Sequence, residues 1–225
     1  MKITIIGYGK MGKEIEKVLL KRGHEIAGII DNEDQLKELK NSDNFCIDFT
    51  APDALKNNYE MIADKFNGAI VGTTGWNDIS EKVINTFKSK SKPFVYASNF
   101  SVGVNVFFDL VERGSELLSK LKDYDPYILE MHHKEKKDSP SGTAVTTKEI
   151  INKFYNNDIS IASIRSGNIK GIHEAGFESQ IDKISIKHEA YSREGFALGA
   201  VLAAEWLEAS PGIYNFRELL KKMIS

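Results

Sequence analysis

The first hundred residues alternate short apolar runs with segments of helical period, and this alternation is the strongest constraint on the fold. The runs are rich in β-branched and aromatic residues, and they predict strands at residues 3–6, 25–30, 45–49, 69–71 and 94–97. Between the first two runs, Met11, Ile15, Val18 and Leu19 are spaced like the buried face of a helix. Strands that alternate with such helices predict a Rossmann-like α/β domain, a parallel sheet covered by helices.

The pattern changes after Asn99, where the regular alternation stops. A segment of helical period covers residues 104–121, one helix follows Pro140, and strand-like runs occupy residues 127–133, 159–165 and 181–188. An Ala-rich helix at residues 196–207 and a terminal helix at residues 215–223 come last. We therefore predict a second, α+β domain with an open mixed sheet at residues 101–195, while residues 1–100 and 196–225 form the first domain.

Composition argues against several classes of protein. The chain has 225 residues and a net charge of −2, which gives no general attraction to nucleic acids or anionic membranes. No apolar run approaches the roughly 20 residues of a membrane span, and residues 1–6 have the pattern of a strand rather than of a signal peptide. The single cysteine, Cys46, excludes an internal disulfide and is predicted to be buried. We expect a cytoplasmic protein without nucleic-acid or membrane partners.

A glycine-rich loop joins the first predicted strand to the first helix. It has the pattern G-x-G-x-x-G and consists of Gly7, Tyr8, Gly9, Lys10, Met11 and Gly12. The first two glycines permit close approach of the backbone to a pyrophosphate, and the third lets helix and strand pack. Asp31 follows about 20 residues later, at the end of the second strand, where a carboxylate can bind the adenosine ribose hydroxyls. The first domain is therefore predicted to bind a nicotinamide dinucleotide. NADH is expected over NADPH, because Asp31 is followed by Asn32 and not by Arg or Lys.

Two further loops follow predicted strands at the same edge of the sheet. One contains Gly72, Thr73 and Thr74, and the other contains Ala97, Ser98, Asn99 and Phe100. Open α/β sheets bind ligands at the carboxyl ends of their strands, so we predict that both loops line the nicotinamide half of the cofactor site. These residue types are also ordinary turn formers, so the prediction depends on the glycine loop.

The segment at residues 132–143 combines several features of a site for an anionic substrate. Three lysines and one glutamate within residues 132–137 make a basic cluster in a slightly acidic chain. A histidine can deliver a proton near neutral pH, and a neighbouring lysine can stabilise negative charge or act as an acid. Pro140 to Thr143 lead into a helix, whose N-terminus favours an anion such as a carboxylate. A solvated charged loop with one structural histidine is the alternative that this segment by itself leaves open.

The remaining candidates are less informative. A metal site is not expected, because the two adjacent histidines lack the separated spacing of zinc ligands and the cysteine has no partner. Structural roles are favoured for His24, in a turn, and for His188, in a predicted strand. The roles of His173 and Arg193 stay open.

Taken together, these residues resemble the dihydrodipicolinate reductase family along nearly the whole chain. The stretches that carry the resemblance are GYGKMG, DFT, GTTG, NFSVGVN, EMHHKEKKDSPSGTA, RSGNIKGIH and REGFALGA. The resemblance implies NAD(P)H-dependent reduction of a cyclic imine dicarboxylate, formed by loss of water from 4-hydroxy-tetrahydrodipicolinate, to tetrahydrodipicolinate in lysine and diaminopimelate biosynthesis. It also implies a homotetramer assembled through the sheet of the second domain.

The resemblance also implies roles for individual residues. By position, His132 is similar to the proton donor and acceptor of the family and Lys136 to its partnering acid, while His133, Gly142 and Thr143 correspond to the groups that hold the substrate carboxylates. Many members have one more residue in the glycine loop and an acid followed by Arg, and this chain departs from both patterns.

Two alternatives are kept beside this interpretation. One is another NAD-dependent amino-acid or semialdehyde dehydrogenase, against which the combination of HH-x-x-K with PSGT argues. The other is a non-catalytic nicotinamide-sensing protein, which would need a partner-binding segment or a basic DNA-reading helix. The chain has no spare length for either segment.

Overall fold

The computed structural model describes residues 1–121 and 123–224. The chain divides into two compact units, one of Met1–Ser101 with Glu194–Ser225 and the other of Val102–Arg193. Within the described ranges, no helix is both long and apolar enough to cross a bilayer.

The first unit is a six-stranded sheet in which every pair of neighbouring strands is parallel. With numbering along the whole chain, its strands are β1 (Lys2–Ile6), β2 (Glu25–Ile30), β3 (Phe45–Asp48), β4 (Gly68–Val71), β5 (Phe94–Tyr96) and β10 (Ile213–Asn215). Its helices are α1 (Lys10–Lys21), α2 (Glu33–Glu38), α3 (Pro52–Lys65), α4 (Ser80–Ser89), α7 (Glu194–Ala209) and α8 (Phe216–Ile224), and a 3₁₀ turn (Asn77–Ile79) precedes α4. The Rossmann-like fold predicted from the sequence is confirmed.

Helices cover both faces of this sheet. On one face α1 packs against β1 and β2, and α7 packs against β3, β4 and β5. On the other face, Tyr59 and Ile62 of α3 and Phe87 of α4 join one core cluster with Cys46, which is fully buried as predicted. Because helices cover both faces, the central strands β1, β3 and β4 are buried almost throughout, whereas the edge strand β2 alternates between exposed and half-buried residues over most of its length.

The strand order, β10-β5-β4-β3-β1-β2, places a topological switch point beside β1. Ile6, the last residue of β1, is paired with Ile30 of β2 on one side and with Asp48 of β3 on the other. The loops that follow β1, β3, β4 and β5 all leave the sheet at its carboxyl edge. Open α/β sheets bind their ligands at such a switch point.

The second unit is an open sheet of four strands with two helices. In chain order its elements are α5 (Val102–Leu118), β6 (Asp125–His132), α6 (Gly142–Ile151), β7 (Ser160–Arg165), β8 (Ile172–Glu178) and β9 (Lys183–Glu189). The strand order is β7-β6-β8-β9, and β6 runs parallel to β7 but antiparallel to β8. The mixed open sheet predicted for this part of the chain is confirmed.

Burial alternates along β6, so one face of the sheet is an inner face. Ile128, Glu130 and His132 are buried there, and Ile128 belongs to a core cluster with residues of α5 and α6. Strand register places Glu130 opposite Ser163 of β7 and His173 of β8, and it places His173 opposite His188 of β9. These four polar residues form one row across the whole sheet.

Two strands were not predicted from the sequence, β8 and β10. In β8, the sequence IHEAGFE contains Gly176 and few β-branched residues, so it lacks the composition of a strand. Gly176 leaves room for the ring of Tyr127 on the neighbouring strand, from which a Cβ at this position would lie 2.2 Å. The strand β10 has only three residues and lies at the edge of its sheet.

Candidate functional site

The glycine-rich loop has the geometry of a phosphate-binding turn. Gly7 has φ +87°, a conformation that favours glycine, and a Cβ on Gly12 would lie 2.2 Å from the carbonyl oxygen of Gly7. Gly9 is the N-cap of α1 and provides no side-chain cap, while Lys10 is exposed and Met11 half-buried in the first turn. A Cβ on Gly9 would meet nothing within 4 Å, so there is open space beside the first N–H groups of the helix. This arrangement fits a dinucleotide pyrophosphate.

Asp31 lies at the mouth of the same loop. Its carboxylate oxygen Oδ1 accepts a hydrogen bond of 2.7 Å from the backbone N–H of Tyr8, and its own N–H donates to Gln35 at 2.8 Å. Asn32 caps α2 by accepting a hydrogen bond from the backbone of Gln35. The acid is therefore held against the glycine loop.

A buried carboxylate connects the loops that follow β3 and β4. Oδ1 of Asp48 accepts hydrogen bonds from the hydroxyl of Thr73 at 2.6 Å and from the hydroxyl and backbone N–H of Thr50 at 2.9 and 3.1 Å. Burial raises the pKa of Asp48, and these donors act against that rise. Thr73 is buried in this network, whereas Gly72 is half-buried and Thr74 is exposed.

The loop after β5 is divided between surface and core. Ser98 is exposed and Asn99 half-buried, whereas Ala97 is buried and its N–H donates to Val71 at 3.2 Å. Phe100 is 1% exposed and packs against Phe216 with ring centroids 4.8 Å apart. Its side chain therefore belongs to the core of the first unit.

In the second unit, His132 is the last residue of β6 and is buried, with 8% of its surface exposed. Its Nδ1 lies 2.5 Å from a carboxylate oxygen of Glu130, which is fully buried. Burial lowers the pKa of His132, and Glu130 opposes that effect. Burial would raise the pKa of Glu130, but hydrogen bonds from Arg165, Ser163 and His132 bring it down to about 2.

Arg165 joins this pair to the basic loop, which is formed by residues 133–141 between β6 and α6. Its Nη2 donates to the other carboxylate oxygen of Glu130 at 2.7 Å and to the backbone carbonyl of Asp138 at 2.6 Å. The carboxylate of Asp138 lies 2.8 Å from Nζ of Lys136, and this ion pair lowers the pKa of Asp138. A continuous chain of contacts thus connects the two predicted catalytic residues, His132 and Lys136.

The predicted substrate-binding residues follow in the same segment. His133 is half-buried, and its carbonyl accepts the N–H of Lys136 at 3.1 Å. Gly142 and Thr143 form the first turn of α6, which Ser141 caps by accepting from the N–H of Ala144 at 3.3 Å. A Cβ on Gly142 would meet nothing within 4 Å, so the helix N-terminus faces open space.

His173 of β8 and His188 of β9 continue the row of polar residues on the inner face of this sheet. The ring of His173 meets that of His132 edge to face at a centroid distance of 5.1 Å. Burial lowers the pKa of His173 to about 3 and also lowers that of His188. Nδ1 of each is buried without a hydrogen-bond partner among the described residues. Arg193 is exposed at the end of this unit.

Comparisons with known proteins decide the family. Residues 1–100 match the model "Dihydrodipicolinate reductase, N-terminus", and residues 103–220 match "Dihydrodipicolinate reductase, C-terminus". The chain belongs to the dihydrodipicolinate reductase family. Relatives named 4-hydroxy-tetrahydrodipicolinate reductase from Christiangramia forsetii and Thermosipho africanus are 38% and 36% identical to it, each over 99% of both chains. A dipicolinate-bound dihydrodipicolinate reductase from Paenisporosarcina sp. TG-14 has a similar fold, with a TM-score of 0.79 and 19% identity over 96% of this chain and 97% of that one.

Membership of the dihydrodipicolinate reductase family makes the chain an NAD(P)H-dependent oxidoreductase of lysine and diaminopimelate biosynthesis. The family and enzyme class predicted from the sequence are confirmed, and they are favoured over the dehydrogenase and sensor alternatives. NAD(P)H supplies a hydride when it is bound. The open glycine loop and the nearby carboxylate of Asp31 fit such a cofactor.

Several residues around the site of this reductase were given no role by the sequence analysis. Glu130 lies two residues before His132 in a strand, so its place on the same face could have been found from the alternation alone. Arg165 and Gly171 come beside His132 only through strand pairing and a loop, which a single sequence does not show. Among the described residues, no group of three or more His, Cys, Asp or Glu side chains has the arrangement of a metal site.

Proposed function

We propose that this chain reduces the cyclic imine dicarboxylate derived from 4-hydroxy-tetrahydrodipicolinate to tetrahydrodipicolinate. In this proposal His132 and Lys136 supply the proton that the reduction needs. The observation that carries the proposal is the match of both family models to a chain whose buried His132 is followed directly by a basic loop. Hydride addition to a conjugated imine leaves negative charge on the ring, which must be neutralised by a proton. A histidine and a lysine at the end of one strand suit that task.

The carboxylates of the substrate are assigned to His133, Gly142 and Thr143. The N-terminus of α6 favours an anion because its first N–H groups have no partners within the helix. The open space beside Gly142 supports this assignment, since a carboxylate could approach the backbone there. Three lysines in the preceding loop add a positive field that attracts a dianionic substrate.

The cofactor is assigned to the first unit, at the carboxyl edge of its sheet. Gly7, Gly9 and Gly12 would hold the pyrophosphate, and Asp31 would hold the adenosine ribose. The remaining residues assigned to this site are Tyr8, Lys10, Met11, Gly72, Thr73, Thr74, Ala97, Ser98, Asn99 and Phe100. NADH is the preferred cofactor in this proposal, because the carboxylate of Asp31 would repel a 2′-phosphate.

The division of labour is assigned by the domain bounds predicted from the sequence: residues 1–100 and 196–225 bind the dinucleotide, and residues 101–195 bind the substrate and form the assembly. A homotetramer through the second unit's sheet is supported by its outer face, where Leu129 and Met131 are partly exposed and Ile164 is 41% exposed. Light scattering should give the mass of four chains, and Met131→Asp should reduce that mass. A cytoplasmic location is part of the proposal and is compatible with a buried, unpaired Cys46.

The function is tested by following the oxidation of NADH and of NADPH, with substrate generated in situ from pyruvate and aspartate semialdehyde by the preceding synthase. Oxidation that needs both protein and substrate is expected, with a higher kcat/KM for NADH. His132→Gln and Lys136→Met should each lower kcat by about a hundredfold, while the affinity for NADH is unchanged. Lys88→Met, an exposed lysine of α4 outside this loop, is the matched control. Unchanged turnover in both active-site variants would contradict the assignment of the proton donors.

The cofactor preference has its own test. Asp31→Ala should lower the ratio of kcat/KM for NADH to that for NADPH, because the variant loses both the ribose contact and the repulsion of a 2′-phosphate. Asp34→Ala, a nearby exposed acid in the first turn of α2, should leave the ratio unchanged. An unchanged ratio in Asp31→Ala would show that the preference is set elsewhere.

A further inference from the structure

Glu130 is a fully buried carboxylate in the middle strand pair of the second unit's sheet. A buried charge is costly unless it is paired and hydrogen-bonded. Here each oxygen has a different partner, His132 at 2.5 Å on one side and Arg165 at 2.7 Å on the other. The carboxylate is therefore held from both sides and cannot rotate without breaking one of these contacts.

The contact to His132 determines which nitrogen of the imidazole can exchange a proton with the substrate. A carboxylate that is ionised at neutral pH accepts hydrogen bonds only, so Nδ1 of His132 must carry a hydrogen. In the neutral ring Nε2 is then the basic nitrogen, and in the protonated ring Nε2 is the one that can donate to a substrate. Nε2 is the atom that faces Gly171, where a Cβ would lie 3.2 Å from it.

The contact to Arg165 connects Glu130 to the position of Lys136 as well. One guanidinium nitrogen of Arg165 binds both Glu130 and the backbone carbonyl of Asp138. Asp138 is in turn the ion-pair partner of Lys136, at 2.8 Å. The end of the basic loop is thus tied to the same buried carboxylate that orients His132.

We propose that Glu130 and Arg165 are positioning residues for the reduction. Glu130 fixes the Nδ1–H tautomer of His132, and Arg165 holds both Glu130 and the loop that carries Lys136 in place. This inference rests on the proposed proton-transfer roles of His132 and Lys136. Neither positioning residue needs to touch the substrate.

The charges around His132 come from every strand beside it. Glu130 lies on its own strand, Arg165 on β7 and His173 on β8, while Lys136 belongs to the loop that follows. Burial lowers the pKa of His132 most, Lys136 and Arg165 lower it further, and Glu130 raises it. Removing the charge of Glu130 must therefore lower this pKa again.

The decisive variant is Glu130→Gln, which keeps the shape of the side chain. The guanidinium of Arg165 requires the amide oxygen, so the amide NH₂ turns toward Nδ1 of His132 and favours the opposite tautomer. We expect kcat to fall by about a hundredfold, KM for NADH to stay unchanged, and the limb of the kcat profile that belongs to His132 to move to lower pH. Glu116→Gln, in an exposed ion pair on α5, is the matched control and should change none of these.

A spectroscopic readout does not depend on turnover. In ¹⁵N-histidine-labelled protein the tautomer of each of the five histidines can be read from ring nitrogen shifts, with His132→Gln identifying the signal of His132. The wild type should show the Nδ1–H form of His132 and Glu130→Gln the Nε2–H form. An Nε2–H form in the wild type would overturn the proposal even if Glu130→Gln failed to fold.

Arg165 is tested by rescue. Arg165→Met should lower kcat about as far as Glu130→Gln does, and Arg165→Lys should restore part of the loss because it keeps a charged donor beside Glu130. Equal kcat in both Arg165 variants, or a Glu130→Gln protein with the wild-type tautomer and pH profile, would leave only a structural role and sink the inference. If the wild type itself does not oxidise NADH or NADPH with the imine, the proposed function fails, whereas the tautomer measurement still tests the geometry.

Discussion

The imidazole rings of His132 and His173 meet edge to face on the inner side of the second unit's sheet, with 5.1 Å between their centroids. His173 is buried, and its pKa is lowered to about 3 by burial first and by the nearby charge of His132 second. The fold therefore accommodates His173 only in its neutral form. Both rings lose protons on folding in mildly acidic solution.

Stability should consequently decrease when the pH falls below neutrality. The unfolded chain binds protons at its histidines near pH 6.5, whereas folded His173 stays neutral down to about pH 3, so acid favours the unfolded state across that window. The slope per group is at most about 1.4 kcal/mol per pH unit. His173→Gln should flatten the dependence of the unfolding free energy on pH between 6.5 and 5, above the range where carboxylates titrate. Urea unfolding at several pH values measures the slope, and an unchanged slope would contradict the role of His173.

The pair Asp48 and Thr73 yields a second prediction. Thr73→Val removes the 2.6 Å hydrogen bond to a carboxylate that is already 1% exposed, and the pKa of Asp48 should rise further because one opposing donor is lost. We expect a loss of about 1–3 kcal/mol in the free energy of unfolding, and weaker NADH binding because the loop after β4 loosens. Fluorescence titration with NADH and urea unfolding measure the two effects. Thr86→Val, at a half-buried position of α4 where the hydroxyl donates only to the carbonyl of Lys82, is the control and should leave NADH binding unchanged.

Much of the fold was predictable because local signals and long-range packing agree in the first unit. Apolar strands and amphipathic helices such as α1 and α3 carry their periodicity in the sequence, so their bounds were found within a few residues. The strand β8 was missed because His173, Glu174 and Gly176 stand where a strand usually has β-branched residues. Its place in the sheet is decided by neighbours on β6 and β9, which are distant in the chain.

The site was predictable to the extent that its residues are consecutive. His132, Lys136 and Gly142 lie in one short segment with a recognisable spacing, whereas Arg165 joins them only through the parallel register of β6 and β7. Glu130 is a different case, since its alternation with His132 was visible but a glutamate in a strand is usually solvent-exposed. Its burial follows from the guanidinium of Arg165, which the sequence alone does not bring to it.

A cluster in the first unit gives the third prediction. Glu205 of α7 accepts two hydrogen bonds of 2.7 Å from Arg22 and lies 2.6 Å from Nε2 of His24, while Nδ1 of His24 is 3.3 Å from the amino terminus of Met1. The bidentate bond to Arg22 lowers the pKa of Glu205. Its stabilisation is therefore fully present above the carboxylate's ordinary pKa of 4.5 and is lost as the pH falls below that value.

Glu205→Gln should lower the free energy of unfolding at pH 7 by about 1–2 kcal/mol, because a bidentate charged pair is replaced by a neutral hydrogen bond. Glu208→Gln, exposed on the same helix, should change it by less than about 0.5 kcal/mol. Below pH 4 the difference between Glu205→Gln and the wild type should shrink. A constant difference across that range would show that the cluster acts through packing and not through charge.

The loop before β8 provides a matched pair of glycines for the last prediction. Gly167 and Gly171 have φ +50° and +151°, so an alanine is strained at either position and should cost about 1 kcal/mol of stability. Only at Gly171 does the added methyl meet the site, 3.2 Å from Nε2 of His132, whereas at Gly167 it meets nothing within 4 Å. Gly171→Ala should therefore lower kcat by at least about tenfold, because it obstructs the nitrogen that transfers the proton. Gly167→Ala should retain kcat at a similar loss of stability, and equal kcat in the two folded variants would mean that Nε2 is not the working atom.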